Sequence, residues 1–157
     1  MTEFLIRAGL AKDVAKIVEL ERATANAPHW VEAEYAAIAE RRKAEYVKRE
    51  LFVAESKGEL IGFAVGRLMG DLAELESVAV DLRARRYGVG KALCKTVIDW
   101  AGAQGAHTIE LEVRAASEGA IGLYRSLGFV SEGLRAAYYS GPVDDAVLMR
   151  LDLEKKA

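Results

Sequence analysis

Apolar positions along this chain recur at two spacings, and the change from one to the other marks out its elements. Residues 4–7 read as a short strand. Over residues 11–23, Val14, Ile17, Val18 and Glu21 fall at helical spacing with Asp13 early in the first turn, which predicts a helix. A second helix is predicted from Pro28-His29-Trp30, with Val31, Tyr35, Ile38 and Tyr46 as its apolar stripe. Its outer face would carry Arg41, Arg42, Lys43, Lys48 and Arg49 among Glu40, Glu45 and Glu50, a mixture that reads as solvated surface. Alternation then takes over. Residues 51–55 and 60–68 read as strands joined at Lys57-Gly58-Glu59, and residues 73–81 add a third in an antiparallel meander.

Helical spacing returns over residues 89–101, where Leu93, Val97, Ile98 and Ala101 share a face, and Gly102 and Gly105 close the element. A strand over 108–113, a helix over 117–127 stopped by Gly128, and strands over 129–138 and 146–153 follow. A strand–helix–strand–helix series requires parallel crossovers. The expected fold is therefore α/β with a mixed sheet.

A chain of 157 residues fits one domain, here residues 1–157. Lys plus Arg number 22 against 24 Asp plus Glu, for a formal charge of −2, so bulk charge does not favour nucleic acid. One cysteine, Cys94, and two histidines, His29 and His107, argue against a disulfide framework or a metal cluster. With no apolar run of the roughly 20 residues a span needs and no secretory leader in MTEFLIRAG, a cytoplasmic protein without a membrane partner is expected.

The run VAVDLRARRYGVGKAL, residues 78–93, carries the most chemistry. A predicted strand ends at Asp81 and a helix opens near Val89, with Gly88 and Gly90 between them. Glycines let the backbone turn tightly, and a helix start offers unpaired N–H groups and the positive end of a dipole. Together these suit a phosphate or pyrophosphate, and Arg83, Arg85, Arg86 and Lys91 add positive charge. A P-loop would need Ser or Thr after Gly90-Lys91, where Ala92 stands, and the third glycine of a dinucleotide fingerprint is missing. An ordinary strand-to-helix turn is the competing reading.

This run resembles the acetyl-CoA-binding motif of the GNAT N-acetyltransferase superfamily, with Arg85, Gly88 and Gly90 at the positions of its Q/R-x-x-G-x-G/A core, and the order of elements matches over nearly the whole chain. The resemblance implies the GNAT acyl-CoA N-acyltransferase fold, a mixed but mostly antiparallel sheet of about six or seven strands flanked by about four helices. It implies acetyl-CoA as co-substrate and no metal. The amides of Arg86, Tyr87, Gly88, Val89, Gly90 and Lys91 would grip the pyrophosphate, and Val78 to Val80 would lie along the pantetheine arm, with Val80 facing it.

Acetyl transfer to an amine needs a proton removed from the ammonium, the carbonyl oxygen stabilised and the departing thiolate protonated. On the strand over 108–113, Glu110 and Glu112 share one face. Between crossover helices both faces should be largely covered, and partial burial near the strand's C-terminal end would raise a carboxylate's proton affinity towards that of a general base. Tyr124, on the next helix, is either core or a proton donor. Glu74 and Glu76, on the third meander strand, compete with Glu112 as bases or recognise a positive acceptor.

L-E-V-R at 111–114, A-x-x-L-Y at 120–124, L-G-F at 127–129, Arg135-Ala136-Ala137-Tyr138-Tyr139 and the ending from Asp144 to Met149 are similar to the ribosomal-protein-alanine N-acetyltransferase (RimI) branch of that superfamily. By that resemblance Glu112 is the base and Tyr124 the acid, and the acceptor is the N-terminal amine of a protein such as a ribosomal protein. Ser117 stands where the branch usually has the asparagine that helps seat the cofactor. Segments 24–50 and 136–145 would form the acceptor groove, with Trp30 either packing the second helix or covering the groove, and with one of Tyr138 and Tyr139 in the core while the other lines the acceptor cleft. Cys94 is expected to be a buried bystander, and the chain a monomer or homodimer. A GNAT enzyme of small amines or amino acids, and a non-catalytic acyl-CoA-binding module, are the alternatives.

Overall fold

A computed structural model of the protein describes residues 3–24, 30–40 and 47–153. In chain order these form β1 (Leu5–Ala8), α1 (Val14–Arg22), α2 (Glu32–Ala39), β2 (Lys48–Ser56), β3 (Glu59–Met69), β4 (Leu72–Val80), α3 (Val89–Ala103), β5 (Thr108–Arg114), α4 (Glu118–Ser126), β6 (Val130–Tyr139) and β7 (Asp144–Asp152). The strands make one seven-stranded sheet in the order β1-β2-β3-β4-β5-β7-β6. Among the described residues only β4 and β5 pair in parallel; every other neighbouring pair is antiparallel. The crossover through α3 sets β5 beside β4. The one through α4 carries the chain past the place of β7, which then inserts between β5 and β6.

The predicted second helix is corrected. It runs only from Glu32 to Ala39, and its expected residues 28, 29 and 41–46 lie outside the described residues. Lys48, Arg49 and Glu50, expected on its outer face, instead form the start of β2 opposite Leu68, Arg67 and Gly66. Tertiary pairing explains the change. β3 is buried on both faces along most of its length, and residues 48–56 supply its antiparallel neighbour while burying Leu51, Val53 and Ala54.

Two cores sandwich the sheet. On one face α1 and α2 close over Leu51, Val53, Phe63 and Val65, with Ile17 and the buried Tyr35 at the centre. On the other, α3 and α4 cover Leu68, Leu75, Ile109, Leu111 and Met149 through Leu93, Val97 and Ile121. The second core is tight enough to dictate a glycine: a Cβ at Gly66 would stand 2.8 Å from the Trp100 ring.

A bulge in β4 sets which side chains reach each face of the sheet. Val65 of β3 pairs with Ser77 and Gly66 with Leu75, so Glu76 is an extra residue. One extra residue reverses the alternation. Before it, Ala73 and Leu75 face α3; after it, Val78 and Val80 pack on that side while Ala79 joins the opposite core.

At the start of α1, Arg7 of β1 grips Asp13 with two hydrogen bonds of 2.7 and 2.8 Å, and the Leu10 N–H donates to the same carboxylate at 2.8 Å. The guanidinium chiefly, helped by that amide, holds the Asp13 carboxyl below its ordinary value of 3.8. A depressed folded-state value contributes stability above the ordinary value, and the contribution disappears as pH falls through the depressed one. Asp13→Asn is therefore expected to lower the unfolding free energy by roughly 2 kcal/mol at pH 7. In urea titrations the gap to the parent protein should narrow steadily below about pH 4.

Candidate active site

β4 and β5 stay paired for only three positions, Leu72 with Thr108, Ala73 with Ile109 and Glu74 with Glu110. Beyond Glu74, β4 remains hydrogen-bonded to β3 and β5 to β7, so the two strands part. A cleft of about 670 Å³ opens between them. It is lined by Leu75 to Val80 from β4, by Ala84, Arg85, Arg86 and Gly88 to Lys91 from the following loop and α3, by Glu112 to Arg114 from β5, and by Gly119, Ala120, Leu123 and Tyr124 from α4. Thr24, past the end of α1, completes the lining.

The loop has the shape its glycines suggest. Arg86 and Gly88 take positive φ angles of 70° and 81°, and Gly88 is the residue on which α3 starts. The N–H groups of Val89, Gly90 and Lys91 have no preceding helical turn to bond to and open toward the cleft mouth. A side chain at Gly88 would be strained whatever the space around it. Arg85 donates to the Val80 carbonyl at 3.4 Å. Arg83 folds back on Asp81, 3.3 Å away, leaving Arg85, Arg86 and Lys91 as the cations at this end of the cleft. Tyr87 and Ser117 flank these residues in the chain but are not part of the lining. Ser117 precedes α4 and its hydroxyl makes no capping bond there.

Glu112 of β5 and Tyr124 of α4 both line this cleft. Glu112 lies 3.5 Å from Arg135 of β6. Its charge, together with a hydrogen bond, raises the proton affinity of the Tyr138 phenol. Tyr124 packs edge-on against Phe129, with ring centroids 5.9 Å apart, and burial pushes its phenol well above the ordinary value of 10.0. The expectation that both faces of β5 are covered is corrected. Ile109, Leu111 and Val113 are buried, but Glu110, Glu112 and Arg114 stay half-exposed: among the described residues the core under α1 and α2 takes its strand side chains from β2, β3 and β4 and none from β5.

The acids form a row with their counter-charges. Across the sheet Arg49, Arg67, Glu74, Glu110 and Arg150 stand opposite one another in register. Burial chiefly, and repulsion from Glu76 next, raise the proton affinity of Glu74, against the pull of Arg67 3.6 Å away. Glu76, on the bulge, pairs with Arg49 at 3.0 Å and Arg67 at 3.8 Å. Trp30 packs on Tyr35, with centroids 5.4 Å apart, and carries the Arg49 guanidinium 5.3 Å above its ring.

Neither Tyr138 nor Tyr139 enters the core, which corrects that expectation: Tyr138 is half exposed and Tyr139 partly buried. They stand where β6 and β7 lose their regular pairing. Arg114 fixes this hairpin by donating to the carbonyls of Ser140 and Pro142 at 3.1 and 3.0 Å, with its guanidinium 4.5 Å above the Tyr139 ring. Asp144 accepts from the Ala116 N–H at 3.0 Å and Asp145 from that of Ala137 at 2.8 Å. Sequence reasoning had Arg114 and the paired aspartates only as letters of a motif. Arg49 it assigned to the wrong element.

The profile of the Acetyltransferase (GNAT) family matches residues 14–129. The chain belongs to that family and is an N-acetyltransferase. It is 38% identical over 104 residues to the [Ribosomal protein bS18]-alanine N-acetyltransferase of Escherichia coli, covering 65% of this chain and 70% of that one. The crystal structure of the ribosomal-protein-S18-alanine N-acetyltransferase from Escherichia coli superposes with a TM-score of 0.83 at 30% identity, over 99% of this chain and 97% of that one. The structure of yncA from Salmonella typhimurium with its cofactor acetyl-CoA matches at 0.81 and 25% identity, over 99% and 96%. Among the described residues no helix is long and apolar enough to cross a membrane.

Cys94 faces the buried side of α3, and burial pushes its thiol up to about 12. It should resist alkylation at pH 8 in the folded protein and react fully in denaturant, as counted by mass spectrometry. Cys94→Ala should leave the rate of acetyl transfer within about twofold of the parent, since a buried thiol of this kind packs and does not react.

Proposed function

We propose that the protein transfers the acetyl group of acetyl-CoA directly to the N-terminal α-amine of a protein, such as a ribosomal protein. The observation that carries this reading is the single cleft shared by the glycine loop, Glu112 and Tyr124. Its two ends differ in charge: Arg85, Arg86 and Lys91 with the α3 amides suit a pyrophosphate, and Glu76 and Glu112 suit a cationic amine. The stretch between them is the edge of β4 that β5 leaves unpaired, where an extended pantetheine can bond to the backbone beside Val78 and Val80. The residues present thus fit acetyl-CoA, which supplies the activated acetyl group and the sulfur that leaves.

Glu112 removes a proton from the acceptor ammonium, directly or through one water, and frees its lone pair for attack. Backbone N–H groups of β4 past Glu74, released by the parting of the strands, are aimed at the cleft and stabilise the carbonyl oxygen as it gains charge. Tyr124 gives its proton to the departing sulfur, and the second proton that the nitrogen sheds on becoming an amide restores the phenol through water. Its raised proton affinity keeps the phenol protonated through the physiological range, as a proton donor requires. The reacting amine attacks the thioester itself, with no acetylated residue on the enzyme.

The relatives named above support a protein N-terminus over a free small amine, as does a wall built to receive a chain: the β6–β7 hairpin, held in place by Arg114, Asp144 and Asp145 beside Glu112. Glu74 offers a second reading of the base, because burial raises its proton affinity.

Glu112→Gln and Tyr124→Phe are each expected to lower kcat by roughly 10²- to 10⁴-fold while acetyl-CoA still binds. Full rates in both variants would remove these roles, and loss in Glu74→Gln with Glu112→Gln unaffected would move the base to Glu74. A panel of N-terminal peptides, amino acids and polyamines tests the acceptor; preference for a free small amine over every peptide would overturn the N-terminal reading.

A further inference from the structure

Arg49 stands at a junction that the chemistry above does not use. Its Nη1 lies 3.2 Å from Glu34 of α2 and its Nη2 3.0 Å from Oε1 of Glu76 on the β4 bulge, while the flat guanidinium sits over Trp30. One side chain of β2 thus fastens the start of the α2 wall to a carboxylate that lines the cleft. The pairing at Glu76 is lopsided. Oε1 takes both Arg49 and, at 3.8 Å, Arg67, whereas Oε2 is buried with no hydrogen-bond donor among the described residues, in a side chain only 9% exposed.

A buried charged oxygen without a donor is costly, and a pair serving only stability would satisfy both oxygens of the carboxylate. Glu76 is among the residues that line the cleft the acceptor enters, and an ammonium brings N–H donors and the opposite charge. The bulge sharpens the point. Glu76 is the extra residue of β4 and stands beside Glu74, where Arg67 reaches both carboxylates.

We propose that Arg49 is a positioning residue for the acceptor: it holds Glu76 by one oxygen so that the other receives the protonated amine, and it ties the Trp30–α2 wall to that same point. The inference rests on the reading of the cleft as an amine-acetylating site, though not on which amine is acetylated. Glu76 and Glu112 then divide the work on the incoming amine. Glu76 binds the charged form, and Glu112 takes the proton.

Arginine is required by the geometry. Its fork reaches two carboxylates while its flat face stacks on an indole, and a lysine ammonium can satisfy only one of these demands at a time. The test is steady-state kinetics of Arg49→Met, Arg49→Lys and Glu76→Gln with whichever amine the parent enzyme acetylates fastest, with acetyl-CoA affinity measured separately by calorimetry. Arg49→Met and Glu76→Gln should each raise the acceptor KM about tenfold or more, with kcat and acetyl-CoA affinity changed less than about threefold. Arg49→Lys should recover part of the loss. Thermal unfolding checks that each variant folds; if Arg49→Met does not, Arg49→Lys and Glu34→Gln supply the same comparison.

An unchanged acceptor KM in folded Arg49→Met and Glu76→Gln would overturn the proposal, and so would a loss confined to kcat or to acetyl-CoA affinity. Failure of the acetylation reading looks different. There the parent enzyme would acetylate no amine in the panel, whatever stands at position 49.

Discussion

The parting of β4 from β5 is the constraint on which the rest of this protein depends. Three paired positions lock the two strands in parallel register, and past Glu74 each follows its other neighbour. Parallel neighbours usually stay paired because an exposed backbone edge in the middle of a sheet is costly. Here that edge faces a cleft walled by α3 and α4, where a ligand with its own amides can complete the hydrogen bonding. The strands cannot close without expelling Glu112, Tyr124 and the start of α3 from a common space. Stability lost along the edge is offset by the core under α3 and α4, which takes in side chains of β3 and β4 on one flank of the cleft and of β5 and β7 on the other.

Charge is distributed around the same feature. A formal charge of −2 describes the chain as a whole and misdescribes its cleft. Arg85, Arg86 and Lys91 gather at the end where α3 presents its amides, and the acids gather on β4 and β5. Arg83 sits in the same run yet belongs to Asp81. Acids on neighbouring strands repel, and the sheet meets this with cations in register: Arg67 beside Glu74, and Arg150 opposite Glu110. The result is a face that stays folded while keeping enough negative charge to attract an amine.

Much of this was legible from the residues alone, for identifiable reasons. The loop at 81–90 could be read because positive φ and a helix start leave a local signature in glycine spacing, independent of what packs nearby. The faces of α3 and β5 could be read because a buried core imposes its period on Leu93, Val97, Ile109 and Leu111. Arg49 could not. Lys48-Arg49-Glu50 has the composition of a solvated helix, and only the demand of β3 for a neighbour draws it into a strand. The half-exposed face of β5 was hidden for a related reason: how far α1 and α2 reach across a sheet is a property of their lengths and packing, not of the strand's own pattern.

The bulge at Glu76 was equally out of sight, and it has the largest consequence for chemistry. Without the extra residue, one alternation would run through β4, and Ser77 and Ala79 would face α3 together with Ala73 and Leu75. With it, Val78 and Val80 turn toward α3 while Ser77 and Ala79 turn toward α1 and α2. One inserted residue thus separates the two halves of the strand. The half before it belongs to the charged row, and the half after it to the unpaired edge along the cleft. Glu76 stands at the hinge between them, and the two guanidinia that converge on its Oε1 are the price of keeping a carboxylate there.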